Sequence, residues 1–294
     1  MRFSTSTNIY TRNERGPYSI PIEESVRVCA QAGFHYIDAN LCVIAQPGFK
    51  TSILCEDDWE NRICRVRDLV DCLGAEIRQS HSWWYAKSPI PCEELPGGSF
   101  GEEMMRRSIL ASEILGVKWM VVHPISVTEN GKRSREKTFA YNLQYLARWN
   151  KVCREHSVGM AVENMVGVHG NEWADVDFLI KLVDTLDDPN VGICLDTGHA
   201  NISGLDVAEC VRKIGPRLHA THINDNYARG MDEHLAPFNG TVKWREVLKA
   251  LRETGYQDDF AYEIQNYTNM YPKELQPELI RFTYLLGQYM LTEL

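Results

Sequence analysis

Four residues of the chain each close a short apolar run: Glu163 in MAVENM, Asp196 in GICLDTGHAN, His222 in THINDN and Glu263 in AYEIQN. Three carboxylates cannot share an apolar-walled pocket unpaired, because each would cost several kcal/mol or take up a proton. A divalent cation removes the conflict. Three oxygen ligands and one imidazole suit a hard or borderline ion. Mn²⁺ is the first choice, with Mg²⁺, Co²⁺ or Zn²⁺ as alternatives. The bland alternative is that each carboxylate caps the following helix or pairs with an arginine; four such residues at four run ends make the cation the better reading.

Further polar groups occupy comparable positions. His81 lies in QSHSWW, His123 in VVHP, and His199 three residues after Asp196. Asp232 and His234 form a D-x-H in MDEHLAPFNG. These are candidate contacts to substrate or metal. Trp83 and Trp84 directly follow His81, and aromatic faces stack on the C–H faces of sugars. Adjacent residues cannot all face one pocket, so core packing competes for them.

The elements that would carry these residues alternate. Runs rich in β-branched and apolar residues occur at 3–7, 36–39, 76–80, 119–123, 159–163, 191–196, 220–223 and 260–264. Helical periodicity fills the stretches 21–32, 56–73, 100–115, 134–155, 172–186, 206–214, 243–254 and 275–291. Gly33, Gly74, Gly116, Gly159 and Gly255 fall where a helix should stop before a strand. Eight strand–helix units, one every ~37 residues, predict a single (β/α)₈ barrel domain over residues 1–294. An open doubly wound sheet would carry a Gly-rich turn after its first strand, and none follows here. Asp38, His81, His123, Glu163, Asp196, His222 and Glu263 gather at the C-terminal strand ends, where a barrel builds its active site.

With these residues in these positions, the chain resembles the xylose isomerase-like TIM-barrel superfamily, which includes sugar and sugar-phosphate isomerases and epimerases, and endonuclease IV. The segments VENM, CLDTGHAN, HINDN with DEHLAPFNGTVKW, and YEI carry the resemblance. It implies that Glu163, Asp196, His222 and Glu263 bind one divalent metal. The ketose 3-epimerases imply a metal-stabilised enediolate, with one of Glu163 and Glu263 removing the proton next to a carbonyl and the other returning it. His199 would hold a substrate oxygen. Arg229 lies one residue from where the epimerases place a substrate-binding arginine. Two other activities remain open. Some members form the large subunit of C-glycoside deglycosidases, lyases acting on 3-oxo-glycosides. Endonuclease IV builds a trinuclear zinc site on residues matching His81, His123, Glu163, Asp196, His199, His222, Asp232, His234 and Glu263.

Composition narrows the choice. The chain has 294 residues, a formal charge of -9 and 44% hydrophobic residues, the balance of a soluble globular protein. The acidic excess and the lack of a basic, aromatic-interleaved stretch argue against a nucleic-acid partner. No apolar run approaches the roughly 20 residues of a membrane helix, and the opening MRFSTSTNIYTRNERG lacks a secretory apolar stretch. Nine scattered cysteines without a CxxC read as reduced thiols, mostly buried. The expectation is a cytoplasmic enzyme with a small carbohydrate substrate, as a homo-oligomer or with a small partner subunit.

Overall fold

The computed structural model describes residues 1–11, 18–167 and 170–294. Eight parallel strands form one sheet: β1 (Arg2–Ser6), β2 (Tyr36–Asn40), β3 (Glu76–His81), β4 (Trp119–Val122), β5 (Gly159–Glu163), β6 (Val191–Asp196), β7 (Leu218–His222) and β8 (Asp259–Tyr262). Their order is β7-β6-β5-β4-β3-β2-β1-β8. A parallel bridge between Ile223 and Tyr262 joins the two ends. There Ile223 N–H donates to the Ala261 carbonyl at 2.7 Å, and Glu263 N–H to the Ile223 carbonyl at 3.1 Å. The fold is the (β/α)₈ TIM barrel that the alternation predicted.

The eight outer helices are α1 (Ile22–Ala32), α2 (Trp59–Cys72), α3 (Gly98–Leu115), α4 (Arg135–Glu155), α5 (Val176–Leu186), α6 (Val207–Ile214), α7 (Trp244–Glu253) and α8 (Gln276–Glu293). Side-chain caps set several of their starts. Asp206 accepts from the N–H groups of Ala208 and Glu209, and Asp175 from those of Asp177 and Phe178. A 3₁₀ turn over Glu172–Ala174 precedes that cap, so α5 starts later than position 172. Gly33 ends α1 in the left-handed region (φ 114°), as expected. Gly159 does not end α4. Ser157 takes the left-handed position (φ 56°), and Gly159 opens β5. A Cβ at Gly159 would lie 2.2 Å from the Trp119 ring, so packing, not capping, calls for glycine there.

Along the strands, alternate side chains face opposite ways. Met120, Val122, Met160, Val162, Ile193 and Leu195 join the main core under the helices. Val121, Ala161, Cys194 and Ala220 form a separate cluster inside the barrel. The lumen of an eight-stranded barrel is just wide enough for side chains to fill it, which suits small residues here. Positions two residues further along the same strands are His123, Glu163, Asp196 and His222. They therefore stand on the lumen side, one layer higher. All nine cysteines are free; Cys29, Cys42, Cys153, Cys194 and Cys210 are buried. Among the described residues, no helix is long and apolar enough to cross a membrane.

Candidate metal centre

Glu163, Asp196, His222 and Glu263 are all buried, and each offers a ligand atom within 4.8 Å of the other three. His222 Nδ1 lies 2.9 Å from Glu163 Oε1 and 3.3 Å from Glu263 Oε2. Asp196 also caps the short helix Thr197–Ile202: its Oδ1 accepts the His199 N–H at 2.7 Å. Capping and converging on the cluster are thus compatible in one residue. Its Oδ2 accepts Asn224 Nδ2 at 2.8 Å. Asn164 clamps the Asp196 backbone, accepting its N–H at 2.7 Å and donating to its carbonyl at 3.1 Å. Sequence reasoning missed both asparagines. The available signal was a buried-type position held by a polar residue just after a ligand, in VEN and in HIN.

Two further groups flank this set: His81, His123 and Glu163, and His199, Asp232 and His234. Their hydrogen bonds reveal the chemistry. His199 donates from Nδ1 to the Asn164 carbonyl at 2.8 Å, and His234 from Nδ1 to the Glu263 carbonyl at 2.9 Å. In the neutral rings both Nε2 atoms then present lone pairs. Both face Asp232 Oδ2, at 3.3 and 2.9 Å. Lone pairs and a carboxylate oxygen converge favourably only with a proton or a cation between them. The same holds beside Glu163. His81 donates from Nδ1 to the Ser82 carbonyl at 2.9 Å, and its Nε2 lies 3.0 Å from His123 Nε2. Glu163 Oε2 is 2.9 Å from His123 Nε2, yet it is buried without a hydrogen bond.

The electrostatics agree. Among the described residues, no lysine or arginine comes within 4.0 Å of these carboxylates; their ion-pair partners are histidines. Burial pushes the Asp196 carboxyl up to about 6, against the pull of His199 and His234. Burial also opposes ionisation of Glu163, but the charges of His222 and His123 outweigh it and hold that carboxyl well below its usual range. Burial works against the charged forms of His199 and His222 too. The carboxylates Asp196 and Asp232 around His199, and Glu263 and Glu163 around His222, prevail and hold both rings well above their usual value. His234 rises to about 10, with Asp232 and Glu263 overcoming burial. Burial pushes His123 down. The donor set therefore fits a divalent cation: buried oxygens and imidazoles with no lysine or arginine among the described residues to balance them.

The aromatic and arginine expectations divide. The Trp84 ring is partly exposed and lies 5.4 Å from the His123 ring. Trp83 is only 4% exposed and belongs to the core, against Tyr85 and Phe100. Gly97 and Gly101 make room for its ring. Arg229 is exposed, with its guanidinium 5.2 Å from the Tyr227 ring centre. The structure does not bring it into the cluster, because its loop points it outward over that tyrosine.

A family model described as xylose isomerase-like TIM barrel matches residues 26–285. The chain belongs to this family. D-psicose 3-epimerase of Enterocloster bolteae is 27% identical over 158 residues, covering 54% of this chain and 50% of that protein. A probable endonuclease 4 of Mesomycoplasma hyopneumoniae is 26% identical over 108 residues, 37% of each chain. The chain spans about half the length of the first curated relatives it matches. Among solved structures, a D-tagatose 3-epimerase-like protein superposes with a TM-score of 0.73 over 98% of each chain, at 22% identity, a likeness of fold.

Proposed function

We propose that this xylose isomerase-like barrel is a divalent-metal-dependent sugar isomerase or epimerase that moves a proton on the carbon beside a carbonyl. The supporting observation is the buried set Glu163, Asp196, His222 and Glu263, three carboxylates with an imidazole and no lysine or arginine among them. These four residues would hold the ion, Mn²⁺ first. When bound, the cation supplies Lewis-acid polarisation of a carbonyl and its neighbouring hydroxyl. Glu163 closes β5 and Glu263 directly follows β8, three strands further round the barrel, so their carboxylates approach a substrate from different sides. One takes the proton and the other returns it. His199 and His234, whose Nδ1–H groups are held by backbone carbonyls, accept from substrate hydroxyls at Nε2, and Trp84 covers a C–H face of the sugar. The relative named for D-psicose supports a small carbohydrate as substrate. The test is incubation with Mn²⁺ and a ketose panel in D₂O. Deuterium should appear at the carbon next to the carbonyl. Absence of exchange with every ketose by the metal-loaded protein would sink the reading.

One observation favours a second reading. The groups His81–His123–Glu163 and His199–Asp232–His234 stand ready beside the first set, as a trinuclear zinc phosphodiesterase of the endonuclease 4 kind would need. Elemental analysis separates the two readings: one Mn per chain supports the isomerase, three Zn the nuclease. Cleavage of an abasic-site duplex would overturn the isomerase.

A further inference from the structure

We propose that Asp38 is a positioning residue, which holds the His222 ring from one barrel layer below the ligand set; this rests on the metal-binding reading above. Asp38 lies on β2 and is 1% exposed, like His222. Its Oδ2 is 3.5 Å from His222 Nε2. That is the ring nitrogen turned away from the ligands, since Nδ1 faces Glu163 and Glu263. The strand register puts Asp38 beside Gln79, whereas Asn40 pairs with His81 at the level of the ligands. Asp38 is therefore too low to join the ligand set and well placed to brace it.

Gln79 secures the brace. Its Nε2 donates to Asp38 Oδ2 at 3.1 Å and to the Thr221 carbonyl, one residue before His222, at 3.2 Å. One amide thus ties β2 across the lumen to the strand that carries the imidazole. Asp38 Oδ1 and His222 Nε2 are both buried with no hydrogen-bond partner. Among the described residues, His222 is the ion-pair partner that Asp38 has within 4.0 Å. A buried carboxylate in this state is costly unless a positively polarised donor completes it. An imidazole that gives its Nδ1 lone pair to a cation keeps its proton on Nε2, and the cation makes that N–H a stronger donor. Asp38 accepts it, which fixes the tautomer and the ring plane and makes His222 a better ligand.

The experiment uses the full chain stripped of metal, titrated with Mn²⁺ or Zn²⁺ against a fluorescent chelator. Asp38→Asn is expected to bind about 10- to 100-fold more weakly. The Tm of its metal-free form should fall as well, because the buried His222 imidazolium loses its partner. A structural role alone predicts that fall with unchanged affinity. Affinity within about twofold of the wild type, whatever the Tm, overturns the proposal. Should the variant not fold, histidine-labelled wild type loaded with Zn²⁺ decides by NMR. A His222 Nε2–H shifted downfield by a carboxylate acceptor supports the role of Asp38, and an Nε2–H without that shift, or a proton on Nδ1, overturns it. Failure of the wild type to take up either metal removes the metal reading and this proposal together. Equal uptake by wild type and Asp38→Asn removes only the role of Asp38.

Discussion

Glu163 is the residue that the three groups converge on. Its carboxylate lies 2.9 Å from His222, 2.9 Å from His123, 3.4 Å from His81 and 3.7 Å from His199. Replacing it with glutamine keeps its shape and removes its basicity. Glu163→Gln or Glu263→Gln should slow deuterium exchange into substrate about 10²- to 10⁴-fold with the circular dichroism spectrum unchanged. Full exchange in either variant would dismiss that residue from proton transfer. The histidines make a second prediction. His199, His222 and His234 are held above their usual value. In the metal-free chain, their protonated forms stabilise the fold below about pH 6.5, and that contribution is lost as pH rises through the folded values. The raised Asp196 acts in the same direction between its unfolded value of 3.8 and about 6. A bound cation replaces these protons. Metal affinity should therefore keep rising from about pH 7 to about pH 9, and loading should release protons. Calorimetric titration in two buffers of different ionisation enthalpy measures that release. Equal heats in both, with a flat affinity, would contradict it.

At the scale of elements, the long connection from β7 to α7 matters most, because it carries Asp232 and His234. Its anchor is Asp225, fully buried. Asp225 accepts from the N–H groups of Asn226 at 2.9 Å and Val242 at 3.1 Å, and from Trp244 Nε1 at 2.9 Å. The loop is drawn in so tightly that Ala228, His234 and Phe238 sit at φ 54°, 43° and 70°, a region costly for residues with a Cβ. Gly240 closes it: a Cβ there would stand 2.3 Å from both the Asn226 carbonyl oxygen and Asp225 Oδ1. Gly240→Ala should cost about 1–3 kcal/mol in chemical denaturation. It should also loosen the His199–Asp232–His234 group while leaving β5 and β6 in place. Unchanged stability would mean that the loop yields at no cost.

For the whole molecule, the formal charge of -9 takes on a different meaning. Part of the acidic excess is inside the barrel, where a cation would balance it. Its ligands come from β5, β6, β7 and the residue after β8, so one ion would cross-link half of the ring. At a free concentration one hundred times Kd, binding stabilises by about 2.7 kcal/mol. For a chain of this size that is about 5 °C in Tm. Thermal melts with Mn²⁺ and with a chelator should differ by that order. Coincident melts would count against a site linking four strands.

Much of this is legible in the chain because its signals are local. Parallel strands buried on both faces read as apolar runs, and a polar residue closing such a run marks the end of the barrel that holds the site. Glu163, Asp196, His222 and Glu263 therefore stand out in the amino-acid order itself. The period of two within a strand even implies that Ala161 and Glu163, or Cys194 and Asp196, share the lumen. Other facts have no local signal. Trp83 and Trp84 are chemically alike neighbours in irregular backbone, and only packing against Phe100 and Gly101 sends one to the core and leaves the other beside His123. The family resemblance suggested Arg229 for the site, whereas its loop sets it over the exposed Tyr227 ring. Gln79 and Thr221 stand 142 residues apart, so nothing in either segment announces that an amide joins them beneath His222. The amino-acid order determined which side chains enter the barrel, because alternation is a property of each strand alone. Strand register and ring closure decided which of them meet, because those are set only when all eight strands pair.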